Sequence, residues 1–130
     1  MSFEPTYQFH HVHVYCSDLG ASEEWFVQKL GAEVIARRDP KPVPAVDLNL
    51  GGATLFLREE LPDEDLGAGG PPRFGTDHIG LIVDDLDATA NELKARGVFF
   101  EVDPYLIRPG LKISFIQGPD KLRIELLQKV

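Results

Sequence analysis

QFHHVHVYCSDL, Gln8 to Leu19, holds three of the chain's four histidines, and DHIGLIVDDL, Asp77 to Leu86, holds the fourth. In each stretch a histidine, His11 or His78, is followed by aliphatic residues and then, seven positions on, by Asp-Leu. Self-similarity at a fixed spacing points to a duplicated structural unit. After each Asp-Leu the sequence has a helical character, GASEEWFVQKL and DATANELKAR, closed by Gly31 and Gly97. Glycine suits that position because it accepts the positive φ that ends many helices. Asp18 and Asp85, or their neighbours Ser17 and Asp84, are placed as N-caps. Strand-like segments follow in both halves: AEVIAR, AVDLNL and ATLFLRE, then VFFEV, KISFIQ and LRIELLQ.

The expected organisation is one domain over residues 1–130: a βαβββ unit over 8–59, a connecting loop over 60–75 and a second βαβββ unit over 76–130. The loop, ELPDEDLGAGGPPRFG, is rich in proline, glycine and acids. It reads first as a flexible linker, with an active-site lid as the alternative.

A chain of 130 residues with 43% hydrophobic content can bury one sizeable core. A net charge of −8 argues against nucleic acid as the main partner, because phosphate recognition needs clustered cations. No signal-peptide pattern and no membrane-length apolar run stands out. Cys16, the single cysteine, cannot form an internal disulfide, and cysteines alone cannot build a zinc site. The expected location is the cytoplasm.

Strand alternation sends His11, His13 and Tyr15 to one face and His10, Val12, Val14 and Cys16 to the other. In the second half, Ile79, Leu81 and Val83 form the apolar face, leaving His78, Gly80 and Ile82 opposite. On the closing strand Leu122, Ile124 and Leu126 face the core, and Arg123, Glu125 and Leu127 face away. His11, His78 and Glu125 thus share the side away from the helices, a two-histidine, one-carboxylate set suited to a divalent metal with open positions.

With HHVHVYCSDL, DHIGLIVDDLD, ARGVFFE and GPDKLRIELLQ in this order, the chain resembles the vicinal oxygen chelate superfamily over roughly Phe9 to Gln128. That superfamily includes glyoxalases, epimerases, extradiol dioxygenases and drug-resistance proteins. The resemblance implies an α+β fold in which two βαβββ modules form a cup-shaped mixed sheet with helices outside. It also implies that His11, His78 and Glu125 hold one divalent ion, with Fe, Mn, Co, Ni and Zn all compatible. Phe56 stands where glyoxalase I-like members supply a fourth ligand, unless Asp47 or Asn49 substitutes.

His13 is the candidate acid or base, grouped with Glu125 as catalytic, although a hydrogen-bonding wall residue is an equal reading. His10 reads as a bystander. Tyr15, Phe56, Arg58, Lys112 and Arg123 are candidate substrate contacts. The expected activity is that of a lyase or isomerase acting on a small oxygen-chelating substrate through an enolate-like intermediate. The alternatives are an Fe(II) ring-cleaving dioxygenase and a non-catalytic drug- or metabolite-binding protein. By analogy the expected assembly is a homodimer, with neither nucleic acid nor membrane as partner.

Overall fold

Residues 3–38 and 43–130 are described in a computed structural model of the chain. The elements run β1 (Val12–Tyr15), α1 (Leu19–Leu30), β2 (Glu33–Arg38), β3 (Ala45–Leu50), β4 (Ala53–Arg58), β5 (Ile79–Ile82), α2 (Leu86–Ala95), β6 (Phe99–Arg108), β7 (Leu111–Gln117) and β8 (Arg123–Lys129). A short 3-10 turn, Pro119–Lys121, joins β7 to β8. The strands form two sheets with orders β1-β4-β3-β2 and β5-β8-β7-β6. In each sheet the first strand lies parallel to the last and the other pairings are antiparallel. Two βαβββ units of the same topology are therefore present.

The repeat extends to individual hydrogen bonds. Asp18 and Asp85 are the N-caps, each accepting at 3.0 Å through Oδ1 from the N–H of Ala21 or Ala88. These contacts satisfy helix donors that have no intrahelical partner. The next free donors are met from the closing strands: Leu19 N–H donates to Glu59 Oε2 at 2.8 Å and Leu86 N–H to Gln128 Oε1 at 2.7 Å. Gly31, at φ 72°, ends α1, and Gly97, at φ 85°, follows α2.

The apolar faces of both sheets and both helices meet in one core. Phe26, Leu48, Leu55 and Leu57 from the first half pack in the same cluster as Leu86, Ile116, Ile124 and Leu126 from the second. Val12, Val14, Ile79, Leu81 and Val83 border it, as strand alternation requires. At about 25 cal/mol per Å² of apolar area, this burial drives the halves together.

β6 runs further than the sequence pattern indicates. It continues through Pro104 to Arg108, with register shifts against β7. An edge strand accommodates proline because the missing N–H need not serve an inner ladder.

Candidate metal centre and cavity

Sheet register places the two histidine strands in equivalent positions. His13 pairs with Phe56 across β1 and β4, and Gly80 pairs with Glu125 across β5 and β8. His11 and His78 each lie two residues before those pairs, so Phe56 is the first-half counterpart of Glu125.

In the second half the donors converge. His78 Nε2 is 3.2 Å from Glu125 Oε1, and His78 Nδ1 is 2.7 Å from Asp77 Oδ2. The Phe115 ring packs edge-on to His78 at 5.2 Å. Asp77 also accepts from the Arg123 guanidinium at 3.1 Å. Its carboxyl is held below the ordinary value, first by the His78 hydrogen bond and then by Arg123. Each ring nitrogen faces a carboxylate, and the shorter contact, to Asp77, favours Nδ1 as the donor of a neutral ring, which leaves the Nε2 lone pair facing another acceptor. Two acceptors at this distance call for a cation between them or a proton on the ring. This donor set fits a divalent ion, with Asp77 orienting the ligand from behind.

In the first half His11 lies flat against Phe56, with ring centroids 3.9 Å apart and planes 17° apart. Its Nδ1 is 2.8 Å from Nδ1 of His10, which therefore makes a specific contact with the candidate ligand and is no bystander. Asp47, beside Phe56 on β3, is engaged by Arg38 at 2.7 Å. Asn49 Oδ1 accepts from Gly52 N–H at 3.0 Å in the β3–β4 turn. The two candidate substitutes for a fourth ligand thus have structural partners. His78 and Glu125 are brought together, but among the described residues no three His, Cys, Asp or Glu side chains gather as a metal-binding group.

A cavity of about 300 Å³ opens between the β1 and β5 edges, lined in part by His13, Tyr15, Asp77, His78 and Arg123. Burial, followed by the positive charge of Arg58, lowers the His13 pKa, which favours a neutral ring. Tyr15 and Arg58 join the 60–75 loop: Arg58 donates to Tyr15 Oη at 3.0 Å, and Tyr15 donates to Glu64 at 3.1 Å. Arg58 also donates to Glu64 Oε1 at 3.2 Å. Further along, the loop backbone lies so close to the β7–β8 turn that a Cβ on Gly69 would come within 2.3 Å of the Asp120 carbonyl. Gly69, Gly70 and Arg73 consequently form part of the cavity wall.

The other candidate contacts divide. Arg123 faces the cavity but is already committed to Asp77 and to Glu101, whose Oε2 is 3.3 Å from Arg123 Nε. Lys112 lies on the helix side, sharing strand parity with buried Ser114 and Ile116 and pairing with Asp87 of α2 at 2.6 Å. It does not face the cup. Cys16 is buried, and burial raises its thiol pKa, which disfavours thiolate chemistry. Asp77, Glu64, Glu101 and Phe115 escaped the sequence reading. For Asp77 the available signal was its place immediately before His78, matching His10 before His11.

The sequence model of the Glyoxalase/Bleomycin resistance protein/Dioxygenase superfamily matches residues 8–126, and the chain belongs to that superfamily. It is 31% identical over 124 residues to the uncharacterized protein YwkD of Bacillus subtilis, covering 92% of this chain and 95% of that one. It is 28% identical over 125 residues to a probable lactoylglutathione lyase of Vibrio cholerae, covering 91% and 88%. Among solved structures, a glyoxylase/bleomycin resistance protein/dioxygenase domain from Frankia superposes with a TM-score of 0.79 at 22% identity, covering 97% of this chain and 100% of that one. This last likeness concerns the fold. No helix among the described residues is long and apolar enough to cross a membrane.

Proposed function

We propose that the chain is a divalent-metal-dependent lyase or isomerase acting on a small substrate with adjacent oxygens, through an enolate-like intermediate. The observation that carries this reading is the facing pair His78 Nε2 and Glu125 Oε1, with Asp77 behind the ring. His78 and Glu125 would hold the ion, and His11 on the equivalent strand is the third ligand of the proposal. A bound divalent ion supplies Lewis-acid polarisation of a substrate oxygen. His13, kept neutral, accepts the substrate proton through a ring nitrogen and can return it. The 60–75 loop limits water entry by forming one wall. The likeness to a probable lactoylglutathione lyase supports this class of reaction without specifying the substrate.

The same proposal includes a homodimer. It rests on analogy with the superfamily; Phe9, Ile82 and Phe99, 75%, 65% and 62% exposed, are apolar side chains that a partner surface could cover.

Elemental analysis of gently purified protein tests the site. Near-stoichiometric metal in wild type, lost in His11→Ala, His78→Ala and Glu125→Ala, is the expected result; retention by all three variants contradicts it. Mixing His11→Ala with Glu125→Ala then shows whether ligands are shared between chains, because only shared sites regain metal. His13→Ala is expected to keep metal and lose turnover. Phe56 in place of a fourth protein ligand favours a ring-cleaving dioxygenase as the second reading, tested by oxygen uptake with catechols.

A further inference from the structure

The second-half histidine is held by more than its ligand partner. Asp77 Oδ2 accepts from both His78 Nδ1 and Arg123, whose guanidinium carbon lies 4.5 Å above the Phe115 ring. On its other side Arg123 Nε is 3.3 Å from Glu101 Oε2, an ion-pair distance, although among the described residues this buried Nε has no hydrogen bond of good geometry. Phe115, under Arg123, is also the ring that packs edge-on against His78. The imidazole is thus restrained at Nδ1 and along its side.

The first half has the same layout with different chemistry. The residue before His11 is His10, whose Nδ1 meets His11 Nδ1 at 2.8 Å. An imidazole nitrogen can donate or accept, whereas an ionised carboxylate only accepts. Thr54 occupies the place on β4 that Arg123 occupies on β8. Among the described residues, no arginine–carboxylate pair equivalent to Arg123–Asp77 stands behind His11.

We infer that Asp77, secured by Arg123, is a positioning residue that keeps the proton of neutral His78 on Nδ1 and presents the Nε2 lone pair toward Glu125. A carboxylate behind a ligand histidine sets its tautomer and increases its basicity, and losing such a partner typically costs about 10–100-fold in metal affinity. Arg123 acts one step further back by holding the carboxylate in line, so its own removal has the smaller effect. The affinity part of this inference rests on the metal reading above; the tautomer part does not.

The test has two readouts on the full-length protein. Long-range proton–nitrogen correlation spectra of histidine-labelled, metal-free protein, recorded where His78 is neutral, report which ring nitrogen holds the proton. Zinc affinity, measured by competition with a chromophoric chelator, reports the consequence. Wild type is expected to show His78 protonated on Nδ1. Asp77→Ala is expected to move that proton to Nε2 or to a mixture of both nitrogens, and to weaken zinc binding about 10–100-fold. Arg123→Gln is expected to fall between the two, and Asp77→Glu to restore the Nδ1 form in part. Superimposable backbone spectra identify the variants that keep the fold. An unchanged His78 tautomer in Asp77→Ala overturns the inference, as does unchanged zinc affinity where wild type binds zinc. Absence of zinc binding in wild type removes the metal reading and leaves the tautomer result to decide this one.

Discussion

The two halves of this chain place different side chains at matching positions. In the first, β4 contributes Phe56 and β3 contributes Asp47; in the second, β8 contributes Glu125 and β7 contributes Phe115. Acid and aromatic have exchanged strands. His11 consequently stacks on an aromatic ring, Phe56, whose centroid lies 4.7 Å from the Arg38 guanidinium carbon. His78 instead faces a carboxylate and touches its aromatic neighbour edge-on. Shared caps and a shared core show how little of the frame depends on this exchange. One duplicated scaffold thus carries a half in which the strand histidine faces a carboxylate and a half in which it packs flat against an aromatic ring.

Substitutions at matched positions can break or sharpen that comparison. The largest stability effect should come from the common core. Leu57→Ala and Leu126→Ala occupy equivalent sites, 0% and 2% exposed, and each should cost about 2–5 kcal/mol. Because both leucines belong to one cluster, calorimetry should show a single unfolding transition in either variant. Two separated transitions would mean that the halves fold independently. Next come the caps: Asp18→Ala and Asp85→Ala should each lose about 0.5–2 kcal/mol in denaturant melts, with similar values if the repeat is energetically as well as geometrically faithful.

Much of this frame was legible in the sequence because alternation and capping are local. The faces of β1, β5 and β8 follow from period-two patterning, and Asp-Leu marks both helix starts. Lys112 was harder to assign, because KISFIQ places isoleucines, Ile113 and Ile116, on opposite faces and both are buried. The pattern alone does not reveal which face is the cup. Alternation puts Arg123 on the face it occupies, but its partners Asp77 and Glu101 come from distant segments and are set by tertiary packing. His10 belongs by alternation with the core-facing residues, yet it precedes β1, where strand parity no longer constrains its ring.

The loop should respond to acid in a way that its flanking strands do not. The Leu61 N–H, then Arg58 and Tyr15, hold the Glu64 carboxyl below its ordinary value. A depressed carboxyl stabilises the anchored loop above its unfolded-state pKa, and the effect is lost as pH falls through the folded-state value. Hydrogen-exchange protection across 60–75, corrected for the intrinsic pH dependence of exchange, should therefore fall on acidification relative to the core, and Glu64→Gln should show the lowered protection already at neutral pH. An acid response unchanged in Glu64→Gln would assign it to another group.

The smallest effect compares Ser114 with its first-half counterpart Val46. Both are buried, and the Ser114 hydroxyl has no hydrogen-bond partner among the described residues. Ser114→Val installs the first-half residue and removes a desolvated polar group, so stability should stay within about 1 kcal/mol of wild type or rise. A larger loss in a thermal melt would show that the hydroxyl has a role in packing that valine cannot reproduce.

The most direct measurement of the functional claim is a cobalt(II) titration of wild type beside Glu125→Phe, which gives the second half the aromatic residue of the first. Stoichiometric binding by wild type with loss of binding in a folded Glu125→Phe variant is the predicted result. Wild-type affinity retained by Glu125→Phe would contradict a metal centre built on His78 and Glu125.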